Sequence, residues 1–265
     1  MGSKAHLEKD RFDHLLVAQG FAQSRDAAAR MILAGAVRVN GAVVDKPARA
    51  IPVDAAIEIL QQTSRFVSRG GDKLAAALDT CSIDPQGRIC LDVGCSTGGF
   101  TDCLLQRGAT RVYAVDVGYG QFDWRLRQDP RVVLIERTNI RYIKRSTIPE
   151  SVGLAVIDVS FISLTKVLPT ILQFLSPGAL IIALVKPQFE VGKGRVGRGG
   201  IVREETQRQE VLQRIVRFAT EVGLQTTKTF DCPIKGKKGN HEILAIFKFD
   251  ASFHGMKGRD KRYGS

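Results

Sequence analysis

From residue 89 onward, the pattern of hydrophobic and polar positions switches repeatedly between two periods. Short apolar runs at 89–93, 112–116, 132–136, 154–158 and 179–185 are bounded by turn residues, which predicts buried strands. Between and after them, apolar residues recur at helical spacing, predicting helices at about 100–107, 120–128, 164–175 and 204–222. In the last of these, Val211, Ile215, Phe218 and Val222 form one face. Regular alternation of this kind predicts a parallel sheet with helices on both faces, an α/β fold. Two further strands, at about 225–232 and 242–249, close the pattern as a hairpin.

Residues 8–60 follow a different pattern and are expected to form a small α+β unit. Phe12, Leu15, Leu16 and Phe21 suggest a short amphipathic helix, and Ser24 is a candidate N-cap for a second one over 25–33, with Ala28, Met31 and Ile32 inward. Val37 to Val39 and Val43-Val44 flank Asn40-Gly41, the strongest short hairpin signal. Another short strand is expected at 56–60. Residues 61–68 are expected to be a linker, with Phe66 a buried anchor. The larger domain then spans 69–250 and a basic, mobile tail spans 251–265. At its start, Arg69-Gly70-Gly71-Asp72-Lys73-Leu74 opens a helix with Leu74, Ala77, Leu78 and Cys81 on one face. A lysine in a first turn opposes the helix dipole, so Lys73 is mildly costly unless it acts on something.

One stretch links this pattern to chemistry. Ile89 to Val93 is a strand, Gly94 to Gly99 a glycine-rich turn, and Phe100 the start of a helix. Such a turn aims backbone N–H groups at a ligand by a helix start. The next strand ends in Asp116, where a carboxylate can take both hydroxyls of a ribose. The spacing is Gly-x-x-x-Gly-Gly, so the dinucleotide fingerprint fails, and there is no Gly-Lys-Ser/Thr for phosphates. Asp-x-Gly-x-x-x-Gly-Gly followed by a strand-end acid resembles the cofactor loop of S-adenosylmethionine methyltransferases. The resemblance implies cofactor contacts from Asp92, Gly94, Cys95, Ser96, Thr97, Gly98, Gly99, Phe100, Asp116, Val117, Asn139 and Asp158.

The formal net charge of +12 calls for an acidic partner, with nucleic acid first and an anionic membrane surface as the rival. The basic surplus is concentrated: residues 107–145 hold nine Lys/Arg against Asp116, Asp123, Asp129 and Glu136. Five scattered cysteines without a Cys-x-x-Cys pair, and four dispersed histidines, indicate neither a zinc site nor a disulfide framework. A reducing cytoplasm is expected. No apolar run has the length of a membrane span, and the first residues lack the apolar core of a signal peptide.

Polar residues at predicted strand ends complete the picture, because ligands of such sheets bind beyond the carboxyl ends of the strands. Lys73, Asp158, Lys186 and Glu242 are each charged at the edge of an apolar segment. A lysine flanked by carboxylates and a second lysine can act as a base or stabilise a forming alkoxide. With Ser-Arg-Gly-Gly-Asp-Lys-Leu, Asp-Val-Ser-Phe, Lys-Pro-Gln-Phe-Glu and His-Glu-Ile-Leu, the four resemble the FtsJ-type ribose 2′-O-methyltransferases. Ser24-Arg25-x-x-Ala28, Ile32 and Gly35-x-Val37-x-Val39-Asn40-Gly41 resemble the alpha-L RNA-binding domain. Together they resemble the TlyA (hemolysin A) family of ribosomal RNA methyltransferases.

The resemblance implies a seven-stranded Rossmann-like sheet whose last strand is antiparallel, S-adenosylmethionine as cofactor and ribosomal RNA, at a cytidine ribose, as substrate. Lys186 is assigned the base or alkoxide-stabilising role, Asp158 and Glu242 orient it, and Lys73 positions the hydroxyl or a neighbouring phosphate. No metal is required. RNA contacts are expected from Arg25, Arg30, Arg38, Lys46 and Arg49, from Arg65 and Arg69, and from Lys193, Arg195 and Arg198 in a basic loop read as a lid. Two rivals stay open at this point: a non-catalytic RNA-binding or assembly factor that keeps the fold, and a membrane-lysing protein. The oligomeric state is open, with a monomer favoured.

Overall fold

The computed structural model describes residues 8–22, 24–33, 35–60, 65–192, 196–197, 199–236 and 239–252, with Arg30 described by its backbone alone. Internal contacts divide the chain into two units, residues 1–65 and 66–265. Most of the predicted tail, from residue 253, lies outside the described residues.

The smaller unit runs β1 (Lys9–Arg11), α1 (Phe12–Ala18), α2 (Arg25–Leu33), β2 (Val37–Val39), β3 (Ala42–Val43), β4 (Ala50–Pro52) and β5 (Ile57–Ile59). The hairpin between β2 and β3 turns on Asn40 (φ 49°) and Gly41 (φ 78°), the pair of positive angles that a two-residue turn of this type requires. Ser24 Oγ accepts from Ala27 N at 3.2 Å and caps α2. Phe12, Leu15, Leu16, Ala28, Ile32 and Val37 form the core. Beside it, Asp13 is buried and accepts from Arg11 and Arg25. The Arg11 hydrogen bonds hold its carboxyl down to about 2. The antiparallel pair β1–β4 is absent from the sequence reading, because three residues are too few to display a period of two.

The larger unit runs α3 (Arg69–Cys81), β6 (Ile89–Val93), α4 (Gly99–Gln106), β7 (Arg111–Val115), α5 (Trp124–Arg127), β8 (Val132–Ile135), β9 (Val152–Ile157), α6 (Leu168–Ile171), β10 (Leu175–Val185), α7 (Pro187–Glu190), α8 (Glu205–Glu221), β11 (Leu224–Asp231) and β12 (Ile243–Phe249). Its seven strands lie in the order β8-β7-β6-β9-β10-β12-β11. The first five are parallel, and β12 enters antiparallel between β10 and β11. Alternate side chains of each strand point to opposite faces. Leu91 and Val93 join Ile171, Val211 and Ile215 on the α6/α8 face. Cys90, Val112 and Ala114 join Leu74, Leu78 and Leu104 on the α3/α4 face. This is the predicted Rossmann-like architecture, with helices on both faces.

Two predicted helices are largely something else. Over 120–128 only the four residues of α5 are helical, because Gly120 takes φ 73° and Asp123 caps Arg125 N at 2.9 Å, starting the helix late. Phe122 and Leu126, which gave the apolar period, pack on the turn at Gly98 instead. Over 164–175, α6 is flanked by 3₁₀ turns at Leu164–Lys166 and Leu172–Phe174. Pro169, near the start of α6, has no N–H to continue a ladder from the preceding turn. No helix among the described residues is long and apolar enough to cross a membrane.

Candidate active site

Strand register brings the candidate residues to one end of the sheet. Val93 pairs with Val115 and with Ile157, Ile157 pairs with Ala183, and Val185 pairs with Ile243. Gly94, Asp116, Asp158 and Lys186 therefore follow directly on the strand tips, and Glu242 immediately precedes the antiparallel strand that pairs beside Lys186.

The glycine turn is fastened from behind. Gly94 (φ 85°) passes so close to β9 that a Cβ there would stand 2.5 Å from the Asp158 carbonyl oxygen. A Cβ at Gly99 would collide with Ser68 Oγ and come 2.9 Å from Gly71 N, so the starts of α3 and α4 touch at this point. Cys95, Gly98, Gly99 and Phe100 are buried, and they shape the turn from within; Ser96 and Val117 are exposed, and Gly94 and Thr97 are half-buried. Asp116 receives Ser96 N at 2.8 Å and Gly118 N at 2.6 Å. Asn139 accepts from Arg141 N at 3.1 Å and caps a 3₁₀ turn.

Carboxylates dominate the electrostatics of this mouth. Asp92 is fully buried; Thr101 donates to its Oδ2 at 2.7 Å, while Oδ1 has no partner. Burial pushes its carboxyl up to about 7, and Asp158 and Asp116 add to the rise. Burial also raises the Cys95 thiol, with Asp92, Asp116 and Glu136 contributing. A site ringed by these acids repels polyphosphate and attracts a cation. A cofactor carrying a sulfonium, an ammonium and a ribose fits it: Asp116 for the hydroxyls, and the acidic surroundings for positive charge.

Beside the turn stand two ion pairs. Lys73, expected in a first turn, is the fifth residue of α3 and so lies just past that turn; it meets Glu242, and both side chains are nearly buried. Lys186 Nζ lies 2.5 Å from Asp158 Oδ1, at an angle that is not a hydrogen bond's, and donates to Ser160 Oγ at 3.0 Å. Cys232 feels the charges of Lys73, Glu242 and Asp158 together, so the pairs converge on one region. A Cβ at Gly236 would collide with the Glu242 carboxylate, so the loop before β12 packs directly on it. A nearly buried cation near the start of α3 is thus paired with a carboxylate from the far end of the domain's sequence.

Several contributors escaped sequence reasoning. Ser160 sits within Asp-Val-Ser-Phe, and its neighbour Phe161 is 89% exposed at φ 64°, its ring 4.7 Å from that of Phe189. An exposed aromatic at a positive φ leaves no trace in hydrophobic periodicity. Phe66 is buried, as expected of an anchor, but against Gly71 within the larger unit, and Val67 N donates to Asp102 at 2.8 Å.

Of the candidate RNA contacts, Arg25 also reaches Asp13 at 3.4 Å, and Arg38, Lys46, Arg49, Arg65 and Arg69 are exposed. Lys193, Arg195 and Arg198, and the side chain of Arg30, lie outside the described residues. The basic band at 107–145 is less one-sided than its composition suggests. Arg107, Arg111, Arg125, Arg127 and Arg131 each pair with a carboxylate, among them Asp79 and Glu150 from outside the band.

Comparison with known proteins agrees with this geometry. Residues 66–249 match the FtsJ-like methyltransferase family, and residues 10–57 match the S4 domain. The chain is 48% identical, over 88% of each sequence, to the 16S/23S rRNA (cytidine-2′-O)-methyltransferase TlyA of Mycobacterium tuberculosis. It is 46% identical to YqxC of Bacillus subtilis, named as an rRNA methyltransferase, over 89% of this chain and 85% of the relative. A solved structure from Streptococcus thermophilus, named as a hemolysin, superposes with a TM-score of 0.72 at 41% identity, covering 92% of this chain and 90% of that one.

Proposed function

The chain belongs to the FtsJ-like methyltransferase family, and from that premise we propose that it methylates a ribose 2′-hydroxyl of ribosomal RNA, at cytidine, with S-adenosylmethionine as donor. The observation that carries this reading is the pair of ion pairs, Lys73–Glu242 and Lys186–Asp158, at the strand ends beside an acidic turn. The substrate class follows from the S4 domain and from the relatives' rRNA (cytidine-2′-O)-methyltransferase activity.

When bound, S-adenosylmethionine supplies a methyl group already carried by a good leaving group. Asp116 would hold the cofactor's ribose hydroxyls, and the turn from Gly94 to Gly98 would line its site. Lys186, fixed by Asp158 and Ser160, would hold the ribose oxygen by hydrogen bond while the hydroxyl proton passes to solvent water; a donor aimed at developing negative charge is a strong catalytic contribution. Glu242 holds Lys73 where it meets the hydroxyl or an adjacent phosphate. Positioning of the hydroxyl in line with the methyl group accounts for most of the rate. The exposed Phe161 ring, backed by Phe189, offers an aromatic face to an unstacked base. Arg38, Lys46 and Arg49 of the small unit provide contacts to RNA phosphates.

A non-catalytic assembly factor would have no use for Lys73, Asp158, Lys186 and Glu242 in this arrangement. Labelled methyl transfer to ribosomal subunits and to free rRNA, with the product nucleotide mapped, tests the proposal. A labelled 2′-O-methylcytidine is expected. Label on a base, or no transfer to either substrate, overturns it.

A further inference from the structure

We propose that Glu190 is a positioning residue that aligns Lys186 with Asp158. The proposal rests on the reading that Lys186 acts on the ribose oxygen. Lys186 and Asp158 come from neighbouring parallel strands, yet neither belongs to its strand: each begins the segment that leaves the sheet. Asp158 N keeps one sheet bond, to Val93 O of β6 at 2.9 Å, but the ladder between β9 and β10 ends at Ile157 and Ala183, so no strand pairing fixes Asp158 against Lys186.

Glu190 takes over where the sheet stops. It is the last residue of α7, the short helix that starts directly after Lys186. Its side chain is 2% exposed. Leu164 N donates to Oε1 at 2.8 Å, and Ser163 Oγ donates to Oε2 at 2.7 Å. Ser163 and Leu164 close the segment that begins at Asp158. Arg214 of α8 donates to Oε2 at 3.0 Å and to the Glu190 carbonyl at 2.6 Å, which neutralises the carboxylate and seats the end of α7.

The two segments are thus joined at three levels. Lys186 meets Asp158 and Ser160 at the near end, the rings of Phe161 and Phe189 meet in the middle, and Glu190 binds Ser163 and Leu164 at the far end. The near and middle contacts are the ones a substrate disturbs. The far one is buried. Filling this position with an apolar residue would be the simpler way to gain stability, so a buried carboxylate with directed partners points to geometry as its purpose. Lys186 has a flexible stem, and a small misplacement of a reacting group can cost about a hundredfold in rate.

The test compares Glu190→Gln, Ser163→Ala and Lys186→Ala in the full chain. Glu190→Gln should lower kcat about 10- to 100-fold, while KM for the cofactor and affinity for RNA stay within about twofold. In the cofactor-free protein, the amides of 158–164 should lose hydrogen-exchange protection while those of β9 and β10 keep theirs. Ser163→Ala leaves the Arg214 pair intact and should lower kcat in the same manner by a smaller factor; it decides the matter if Glu190→Gln does not fold. An unchanged kcat in either folded variant overturns the proposal. So does a fall in kcat accompanied by equal losses of cofactor affinity and thermal midpoint, the pattern of a purely structural role. Lys186→Ala separates the two levels: if it still transfers methyl at the wild-type rate, the catalytic reading fails. If it is inactive while Glu190→Gln is normal, only the positioning inference fails.

Discussion

Lys73 and Glu242 stand 169 residues apart in the chain and form an ion pair with little exposure to water. Removing one partner of such a pair leaves the other charge buried and alone. Glu242→Gln or Lys73→Met should each destabilise the larger unit by about 3–5 kcal/mol. The double variant should recover much of that loss without recovering methyl transfer. Denaturant unfolding and activity of the three variants check both halves of the statement.

Lys186→Ala should reduce methyl transfer by about 10²–10⁴-fold, with RNA binding nearly intact. Single-turnover transfer and a filter-binding titration, run on the same preparation, separate the chemistry from recognition.

Asp116→Ala should weaken cofactor binding under the proposed reading, because the carboxylate stands at the tip of β7 and fixes Ser96 N and Gly118 N. Loss of a charged hydrogen-bond partner of this kind is worth about 1.5–3 kcal/mol, or roughly 10- to 150-fold in Kd by calorimetry. An unchanged Kd would remove Asp116 from the site.

Asp92 gives the larger unit a pH dependence of defined sign. Its folded value of about 7 lies above the ordinary carboxylate value of 3.8 because burial disfavours the charge. Between those values the folded state holds a proton that the unfolded state has released. The contribution of Asp92 to stability is therefore present at low pH and lost as pH rises through about 7. Asp92→Asn keeps an acceptor for Thr101 and should flatten that slope in unfolding curves taken across this window. A slope unchanged in Asp92→Asn would show that the charge is not buried as described.

Deleting residues 1–62 should weaken RNA binding far more than cofactor binding, since the turn, Asp116 and all four ion-pair residues lie in the larger unit. Parallel titrations of the shortened chain with RNA and with cofactor measure this directly.

The sheet and its chemistry were legible because they are written in local pattern. Apolar runs marked the strands, and charges at the edges of those runs marked Asp116, Asp158, Lys186 and Glu242. Which lysine meets which acid was not legible, since that depends on β12 entering beside β10. Phe122 and Leu126 misled for a related reason: their spacing is helical, yet Phe122 packs on Gly98 from the loop before the four-residue α5 that holds Leu126. Gly71 and Gly236 are glycine for a reason no local pattern carries: a side chain, Phe66 or Glu242, fills the space where the Cβ would be. Such exclusions exist only after folding.

The position of β12 also sets an order of events during synthesis. The strand that follows Glu242 is the last in sequence among those described, and it sits between two earlier ones, β10 and β11. Until the ribosome has made and released that segment, Lys73 has no counter-charge and β10 has an open edge. An incomplete chain therefore holds the glycine turn and Asp116 but lacks the acid that fixes Lys73. The Lys73–Glu242 pair and the covered edge of β10 therefore form together, once β12 has been made.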